Sequence, residues 1–295
     1  MRIIILSVSE HIYSTNRLVE EAESRGHLVR VVNHTKCSVL ISNGKRQIIF
    51  EGKNIINDAD VIIPRIGFSV FNHGVVIVKE FEMHGIYSTA TALGISRAQN
   101  KMHTLQLMNK ENIPIPKTIF SINPDNVSEQ IDLLGGAPVV IKLQEGTQGL
   151  GVVLAETKKS AISILDAFYA MNTSVLIQEF IQESNEEDIR IIVSGGKIIV
   201  AMKRKGAKGD FRSNLHRGGT AKPIILTKKE TKIAIKIAKH LGLPICGVDL
   251  IRSKKGALLM EVNSSPGLQG IENYTNTNVA LEIIKHLENN VPKRF

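Results

Sequence analysis

Ile245-Cys246-Gly247-Val248-Asp249-Leu250-Ile251, then Arg252-Ser253-Lys254-Lys255-Gly256, then Ala257-Leu258-Leu259-Met260-Glu261-Val262-Asn263 reads as a β-hairpin. Each flank is an apolar run of strand length, and a three-residue loop, Lys254-Lys255-Gly256, ends on the glycine that supplies a positive φ. With that loop Asp249 falls opposite Glu261, and Asn263, two residues on, shares their face. Burying two carboxylates unpaired on an apolar hairpin is costly, and the two runs contain no basic residue. A hard divalent cation resolves this. Oxygen ligands few in number, with waters and phosphates completing an octahedron, suit Mg²⁺ or Mn²⁺. An ion-paired hairpin, with a lysine or arginine arriving from elsewhere, is the alternative.

Upstream, Val140-Ile141-Lys142-Leu143-Gln144-Glu145-Gly146-Thr147-Gln148-Gly149-Leu150-Gly151-Val152 is a strand ending in lysine, a glycine-rich loop and a second strand. Glycines let backbone N–H groups converge on anionic oxygens, and the lysine adds a point charge for phosphate. No Gly-Lys-Ser/Thr opens a helix, so this is not a P-loop; a plain flexible hairpin is the alternative. Val175-Leu176-Ile177-Gln178-Glu179-Phe180-Ile181 is an apolar strand whose exit could offer backbone hydrogen bonds to adenine. Asp188 follows nine residues after Glu179 and could accept ribose hydroxyls. An exposed acidic loop is the plainer account. Phe211-Arg212-Ser213-Asn214-Leu215-His216-Arg217-Gly218-Gly219 ends a segment, 197–217, with seven lysines and arginines against one acid, Asp210. Two arginines, an asparagine and paired glycines suit an anionic transition state, or else an RNA-facing loop.

The first 90 residues alternate strand and helix: Ile3 to Val8, a helix over 14–25 stopped by Gly26, Leu28 to Val32, and Val61-Ile62-Ile63 closed by Pro64. This predicts a small parallel sheet covered by helices, and no Gly-x-Gly-x-x-Gly follows its first strand. A helix over 98–110 leads away, and a domain boundary falls near 90–97. Strands recur at Thr118–Phe120, Val139–Lys142, Val152–Ala155 and Val175–Gln178. The spacing of Ala161, Ile164, Leu165, Phe168 and Met171 predicts one apolar face of a helix over 157–171. Thr227 and Glu230 form a capping box that opens a helix ending at Gly242. Lys229, Lys232, Lys236 and Lys239 make a stripe on that helix, and Ile233, Ile237 and Leu241 fall on its other side.

The net charge of +9 favours polyanionic partners such as nucleotides, acidic peptides or RNA. No stretch approaches the roughly 20 apolar residues of a membrane span, and no cleavable signal opens the chain, so a cytoplasmic protein with no membrane partner is expected. Cys37 and Cys246 have no metal-type spacing and read as reduced thiols.

Taken together, several blocks resemble the ATP-grasp superfamily, and within it the RimK-type α-L-glutamate ligases, which modify a ribosomal protein's C-terminus. They are Ile63-Pro64-Arg65-Ile66-Gly67, Gly135-Gly136-Ala137-Pro138, Glu145-Gly146-Thr147-Gln148-Gly149, Gly209 through Gly219, and Met260-Glu261-Val262-Asn263-Ser264-Ser265-Pro266-Gly267. The resemblance covers nearly the whole chain. It implies an α/β and α+β class: an ATP-grasp fold over 97–295, with a lid about 117–180, behind a small N-terminal α/β pre-ATP-grasp domain over 1–96. Carried over by motif, Lys101 and Lys142 look like ATP-contacting lysines, with Gly146 and Gly149 in the phosphate loop. Glu179 and Phe180 look like the adenine edge and Asp188 the ribose acceptor. Arg212, Ser213 and Asn214 look like part of the phosphate site, with Arg212 and Arg217 as the catalytic arginines facing an anionic intermediate. Asp249, Glu261 and Asn263 look like ligands of two Mg²⁺ or Mn²⁺. The implied substrates are ATP, L-glutamate and the C-terminal tail of a ribosomal protein or acidic peptide, and the implied assembly is a homo-oligomer. A small-molecule ligase of the same fold, and an RNA-binding protein with a vestigial ATP site, are the other two readings.

Overall fold

The apolar run that opens the chain forms β1 (Arg2–Leu6), buried from Ile3 onward. In the computed structural model, which describes residues 1–144, 151–213, 215 and 218–291, β1 is central in a parallel sheet. After it comes α1 (Tyr13–Ser24), stopped before Gly26 at φ +77°. β2 (Leu28–Val32) pairs with one edge of β1. An antiparallel meander absent from the sequence reading follows: β3 (Ser38–Ser42), β4 (Lys45–Phe50) and β5 (Lys53–Asn54). β6 (Val61–Pro64) takes the other edge of β1, α2 (Phe71–Met83) returns, and β7 (Tyr87–Ser88) completes the order β2-β1-β6-β7.

The helix expected over 98–110 is two helices, α3 (Ala92–Gln99) and α4 (Lys101–Lys110). They part at Asn100, whose side chain accepts the His103 N–H at 2.8 Å and caps α4. The chain then builds an antiparallel sheet with two helices on one face. Its elements are β8 (Thr118–Ser121), α5 (Val127–Leu133), β9 (Val139–Leu143), β10 (Val152–Ala155), α6 (Lys158–Ala170) and β11 (Val175–Glu179), in strand order β10-β9-β11-β8. Ile131, Ile141, Leu165 and Ile177 fill the space between. Met171, expected on the apolar face, lies past the end of α6 and is exposed.

The largest sheet has the order β14-β13-β12-β15-β16, from β12 (Glu187–Ser194), β13 (Lys197–Lys205), β14 (Thr220–Pro223), β15 (Ile245–Ser253) and β16 (Gly256–Asn263). α7 (Lys228–Leu241) covers one face, and α8 (Gln269–Thr275) and α9 (Val279–Asn290) close the chain on the other. Strand alternation sorts the residues. Ile189, Ile191, Val193, Cys246, Val248 and Leu250 join Ile237 and Leu241 of α7 in one core. Ile192, Met202 and Ile245 join α8 and α9 in a second. Both cores extend into the N-terminal sheet: Ile4, Leu6 and Ile62 enter the first, Ile3, Ile5, Val61 and Ile63 the second. Cys37 and Cys246 are buried free thiols. No helix among the described residues is long and apolar enough to cross a membrane.

α7 starts at the capping box, with Glu230 N–H donating to Thr227 Oγ1 at 3.2 Å and Thr227 N–H donating to Glu230 Oε2 at 2.8 Å. It ends at Gly242, φ +72°. Arg252 Nε adds a 2.7 Å bond to Glu230 Oε1. Burial pushes the Glu230 carboxyl up, but Arg252 and the Thr227 amide outweigh it and hold the group below its ordinary 4.5. A lowered folded value gives stability that is present above pH 4.5 and is lost as pH falls through that value. Glu230→Gln should therefore unfold about 1–2 kcal/mol more easily than wild type in urea at pH 7. The difference should shrink as pH is lowered below 4; a gap of equal size at pH 3 and pH 7 would contradict the assignment.

Candidate active site

The face of the large sheet opposite α7 carries charge. Asp188 and Arg190 alternate with Ile189 and Ile191 on β12, and Gly247 and Asp249 alternate with Val248 on β15. Registers set Arg204 opposite Asp188, Arg190 opposite Asp249, Asp249 opposite Glu261 and Gly247 opposite Asn263. Asp249, Glu261 and Asn263 thus share a face, as expected, but by another route. The turn is two residues, Lys254-Lys255, with Ser253 opposite Gly256. A bulge at Met260 then shifts the register by one, which turns Leu259 and Val262 both into the core and delivers Glu261 opposite Asp249.

The carboxylates are not left unpaired. Arg190 grips Asp249 through Nε to Oδ1 and through Nη2 to Oδ2 at 2.6 Å. Arg204 donates to Asp249 Oδ2 at 3.0 Å and grips Asp188 with bonds of 2.7 and 2.6 Å. Ser213 Oγ also donates to Asp188. Asp188, expected as an open ribose acceptor, therefore has both oxygens engaged by protein donors. Burial pushes the Asp249 carboxyl up, and the two guanidinium groups more than reverse it, so it stays below its ordinary value. Glu261 differs. Its carboxylate is 47% exposed at the cleft mouth, with Arg190 Nη2 4.0 Å away and Asn263 Nδ2 at 3.5 Å. The cleft's desolvation and then the Asp249 charge push it up. Among the described residues no group of three or more His, Cys, Asp or Glu has metal-holding geometry, so any metal here relies on the asparagine as well.

Lys142, at the end of β9, reaches the same cleft and feels both Glu261 and Lys101. Lys101, the first residue of α4, donates to the Gln144 carbonyl at 3.2 Å. Leu143 N–H donates to the Gly151 carbonyl at 2.9 Å and closes the neck of the glycine-rich loop. Gly151 sits at φ +71°, and a Cβ there would stand 2.7 Å from the Leu143 side chain. Gly146, Gly149, Asn214 and Arg217 lie outside the described residues. At the strand exit, Glu179 Oε1 accepts the Lys117 N–H at 2.8 Å, and Phe180 meets Phe211 edge-on, with ring centroids 6.4 Å apart. Arg212 holds Asp210 at 2.8 and 3.1 Å and lies over the Phe211 ring. Leu215 presses on α8, where a Cβ on Gly270 would lie 2.7 Å from it.

Arg190 and Arg204 have no role in the sequence reading, although the alternation Asp188-Ile189-Arg190 places charge on the face opposite the core. Arg65 belongs to the Ile63–Gly67 block but has no role assigned there. It follows β6 and donates from Nη2 to the Pro266 carbonyl at 2.9 Å.

Desolvation, reinforced by Lys101 and opposed by Glu261, lowers Lys142 to about 8. Amine-selective acylation followed by peptide mapping should show Lys142 modification rising through about pH 8. Short lysine peptides acylated alongside supply the profile of an unburied amine, at the usual value of about 10.4. A Lys142 profile that tracks theirs would remove the buried-cleft assignment.

The family model of the RimK-like ATP-grasp domain matches residues 98–287, and that of the RimK pre-ATP-grasp domain matches residues 1–95. A probable alpha-L-glutamate ligase of Aliivibrio fischeri (strain MJ11) is 50% identical over 288 residues, which is 98% of this chain and 95% of that protein. A similarly named protein of Vibrio cholerae serotype O1 is 47% identical over 100% of this chain and 97% of its own. Among solved structures, the ATP-grasp ligase PsnB, complexed with a phosphomimetic variant of its minimal precursor, Mg and ADP, superposes with a TM-score of 0.78. It is 17% identical, with 99% of each chain covered. A RimK domain ATP-grasp protein from Sphaerobacter thermophilus gives 0.72 at 18% identity, covering 97% of this chain and 99% of its own. This chain belongs to the RimK-like ATP-grasp family and is an ATP-dependent ligase with an N-terminal pre-ATP-grasp domain.

Proposed function

We propose that the chain joins L-glutamate, through its amine, to a C-terminal carboxylate of a protein or peptide, an acidic tail such as that of a ribosomal small-subunit protein, by way of an acyl-phosphate. The observation that carries this reading is the meeting of Lys142 with Glu261 in one cleft, beside Asn263 and the arginine-held Asp249. The names of relatives about half identical over almost the whole chain support glutamate as the amine.

Asp249, Glu261 and Asn263 fit a hard cation by donor chemistry. All three offer oxygen, and the Asp249 and Glu261 carboxylates stand opposite one another, a like-charge pair that a cation relieves. Bound there, Mg²⁺, in the proposed number of two, would neutralise charge on the β- and γ-phosphates. Lys101 and Lys142 hold the phosphates. The glycine-rich loop between Leu143 and Gly151 keeps its phosphate role, and Phe180 with Phe211 offers an apolar wall for adenine.

The acceptor carboxylate oxygen attacks the γ-phosphorus, and the bond to the bridging oxygen breaks as ADP leaves. The glutamate nitrogen then attacks the acyl carbon. A C–N bond forms, the C–O bond to phosphate breaks with its electron pair, and the nitrogen gives its proton to solvent. Arg212, held by Asp210, stands on the segment proposed to face the anionic intermediate.

Mass spectrometry of a peptide with an acidic C-terminus, after incubation with ATP, Mg²⁺ and glutamate, should show added glutamyl residues. Glu261→Gln should lower that turnover by about 100-fold or more. Because Glu261 is half exposed, its Tm should stay within about 2 °C of wild type. Asp249→Asn is the poorer probe, because it strips two arginines of their partner. No glutamyl addition by the wild type, or near-normal turnover in Glu261→Gln, would sink the reading.

A further inference from the structure

Arg65 occupies a distinctive place in the fold. The parallel sheet runs β2-β1-β6-β7, so the chain leaves β1 toward one edge and leaves β6 toward the other. The loops after β1 and β6 therefore part at the carboxyl ends of these strands, where open α/β sheets bind ligands. Arg65 is the first residue beyond β6, and its N–H donates to the Leu6 carbonyl of β1 at 2.8 Å. The N-terminus of α1 opens on the same edge with no side-chain cap.

The guanidinium is only partly satisfied. Its side chain makes one hydrogen bond, to the Pro266 carbonyl, and no carboxylate of the described residues pairs with it. By contrast, Arg190, Arg204 and Arg212 each grip an aspartate. A guanidinium offers five N–H donors in a fork that matches a carboxylate, so most of Arg65 is unspent. Burial lowers it only to about 10, so it stays charged at neutral pH.

Pro266 links Arg65 to the reaction centre. A Cβ on Gly247 would lie 3.0 Å from Pro266 and 3.7 Å from Asn263, so the proline packs directly on the strand pair that carries Asp249 and Glu261. Ser265 Oγ donates to the Pro64 carbonyl at 3.0 Å, and Leu268 N–H donates to Ser14 Oγ at 2.9 Å. The loop is thereby pinned to the sheet edge on both sides of Arg65. A carboxylate on Arg65 would lie one residue, Pro266, away from the strand pair that carries Asp249, Glu261 and Asn263. The acceptor carboxylate that is phosphorylated must lie at the centre, so the one on Arg65 is a bystander that survives the reaction.

Building on the proposed function, we propose that Arg65 holds a carboxylate of the amino acid that supplies the amine, and so aims its nitrogen at the activated acyl carbon. A side-chain carboxylate of the acceptor is the other source of the same chemistry. The test uses hydroxylamine, a small amine with no carboxylate, in place of glutamate. Wild type, Arg65→Lys and Arg65→Gln are assayed for ADP release and product mass with either amine. In Arg65→Gln the ratio of glutamate-dependent to hydroxylamine-dependent turnover should fall by about 30-fold or more, mainly through KM for glutamate, while KM for ATP moves less than about threefold. Arg65→Lys should recover part of the ratio. A ratio within about threefold of wild type overturns the proposal, as does a rise in KM for the acceptor alone, which would assign the carboxylate to the acceptor. Equal loss with both amines and a lowered Tm makes Arg65 a structural staple for Pro266 and overturns it too. Failure of the underlying function looks different: the wild type itself would accept hydroxylamine and not glutamate.

Discussion

A single guanidinium, that of Arg204, is shared between Asp188 and Asp249 inside the large sheet, and the geometry of the cleft depends on it. Its side chain is only 8% exposed, and that of Asp249 2%. Removing either sign from such a cluster would strand the other, at a cost of about 3–5 kcal/mol. The pairing is a registry device. A one-residue slip of β13 or β15 against β12 would send these charges into the aliphatic core under α7. Ser213 donates to Asp188 from outside the sheet, so the same cluster also fixes where the arginine segment begins.

The second constraint is the docking of the N-terminal sheet. Shared apolar cores supply the adhesion, and charge at the periphery supplies the orientation. Arg17 of α1 reaches Glu21 at 2.7 Å and Glu272 of α8 at 3.5 Å, and Arg25 and His27 meet Glu288 of α9 at 2.6 and 3.0 Å. Tyr13 adds a 3.0 Å bond to Glu272. A partly exposed pair such as Arg25–Glu288 contributes little by itself. The value of these contacts lies in holding the ends of β1 and β6 against the Ser264–Leu268 loop, which brings Arg65 to the cleft.

Residues with a local signature were legible and those set by distant strands were not. Thr227, Glu230 and Gly242 announced α7 because capping and positive φ are local chemistry. The Asp249–Glu261 pairing was legible from the hairpin, although the extra residue sits at Met260 and not in the turn; a bulge leaves no mark in a run of apolar residues. Asn43-Gly44, both at positive φ, is a strong hairpin signal that the reading of the first domain overlooked, and with it went β3 and β4. Arg190 and Arg204 were hidden for a different reason. Their shared partner Asp249 is 59 and 45 residues away from them along the chain, and only the sheet order brings β13, β12 and β15 side by side.

The positive charge that first suggested a polyanionic partner divides into two populations with different meanings. Lys229, Lys232, Lys236 and Lys239 are exposed on α7, which covers the face of the sheet opposite Asp249. Lys236 is bonded to the Glu111 carbonyl. The stripe therefore lies on the far side of the sheet from Asp249 and Glu261. The cleft's own arginines are largely matched by aspartates, leaving little net charge to draw an anion. Selectivity there must come from the few cations whose charge the protein does not cancel. Lys142, whose charge burial disfavours, gains from a phosphate that stabilises its protonated form. The cleft is thus organised less by its total charge than by which charges it leaves unmatched.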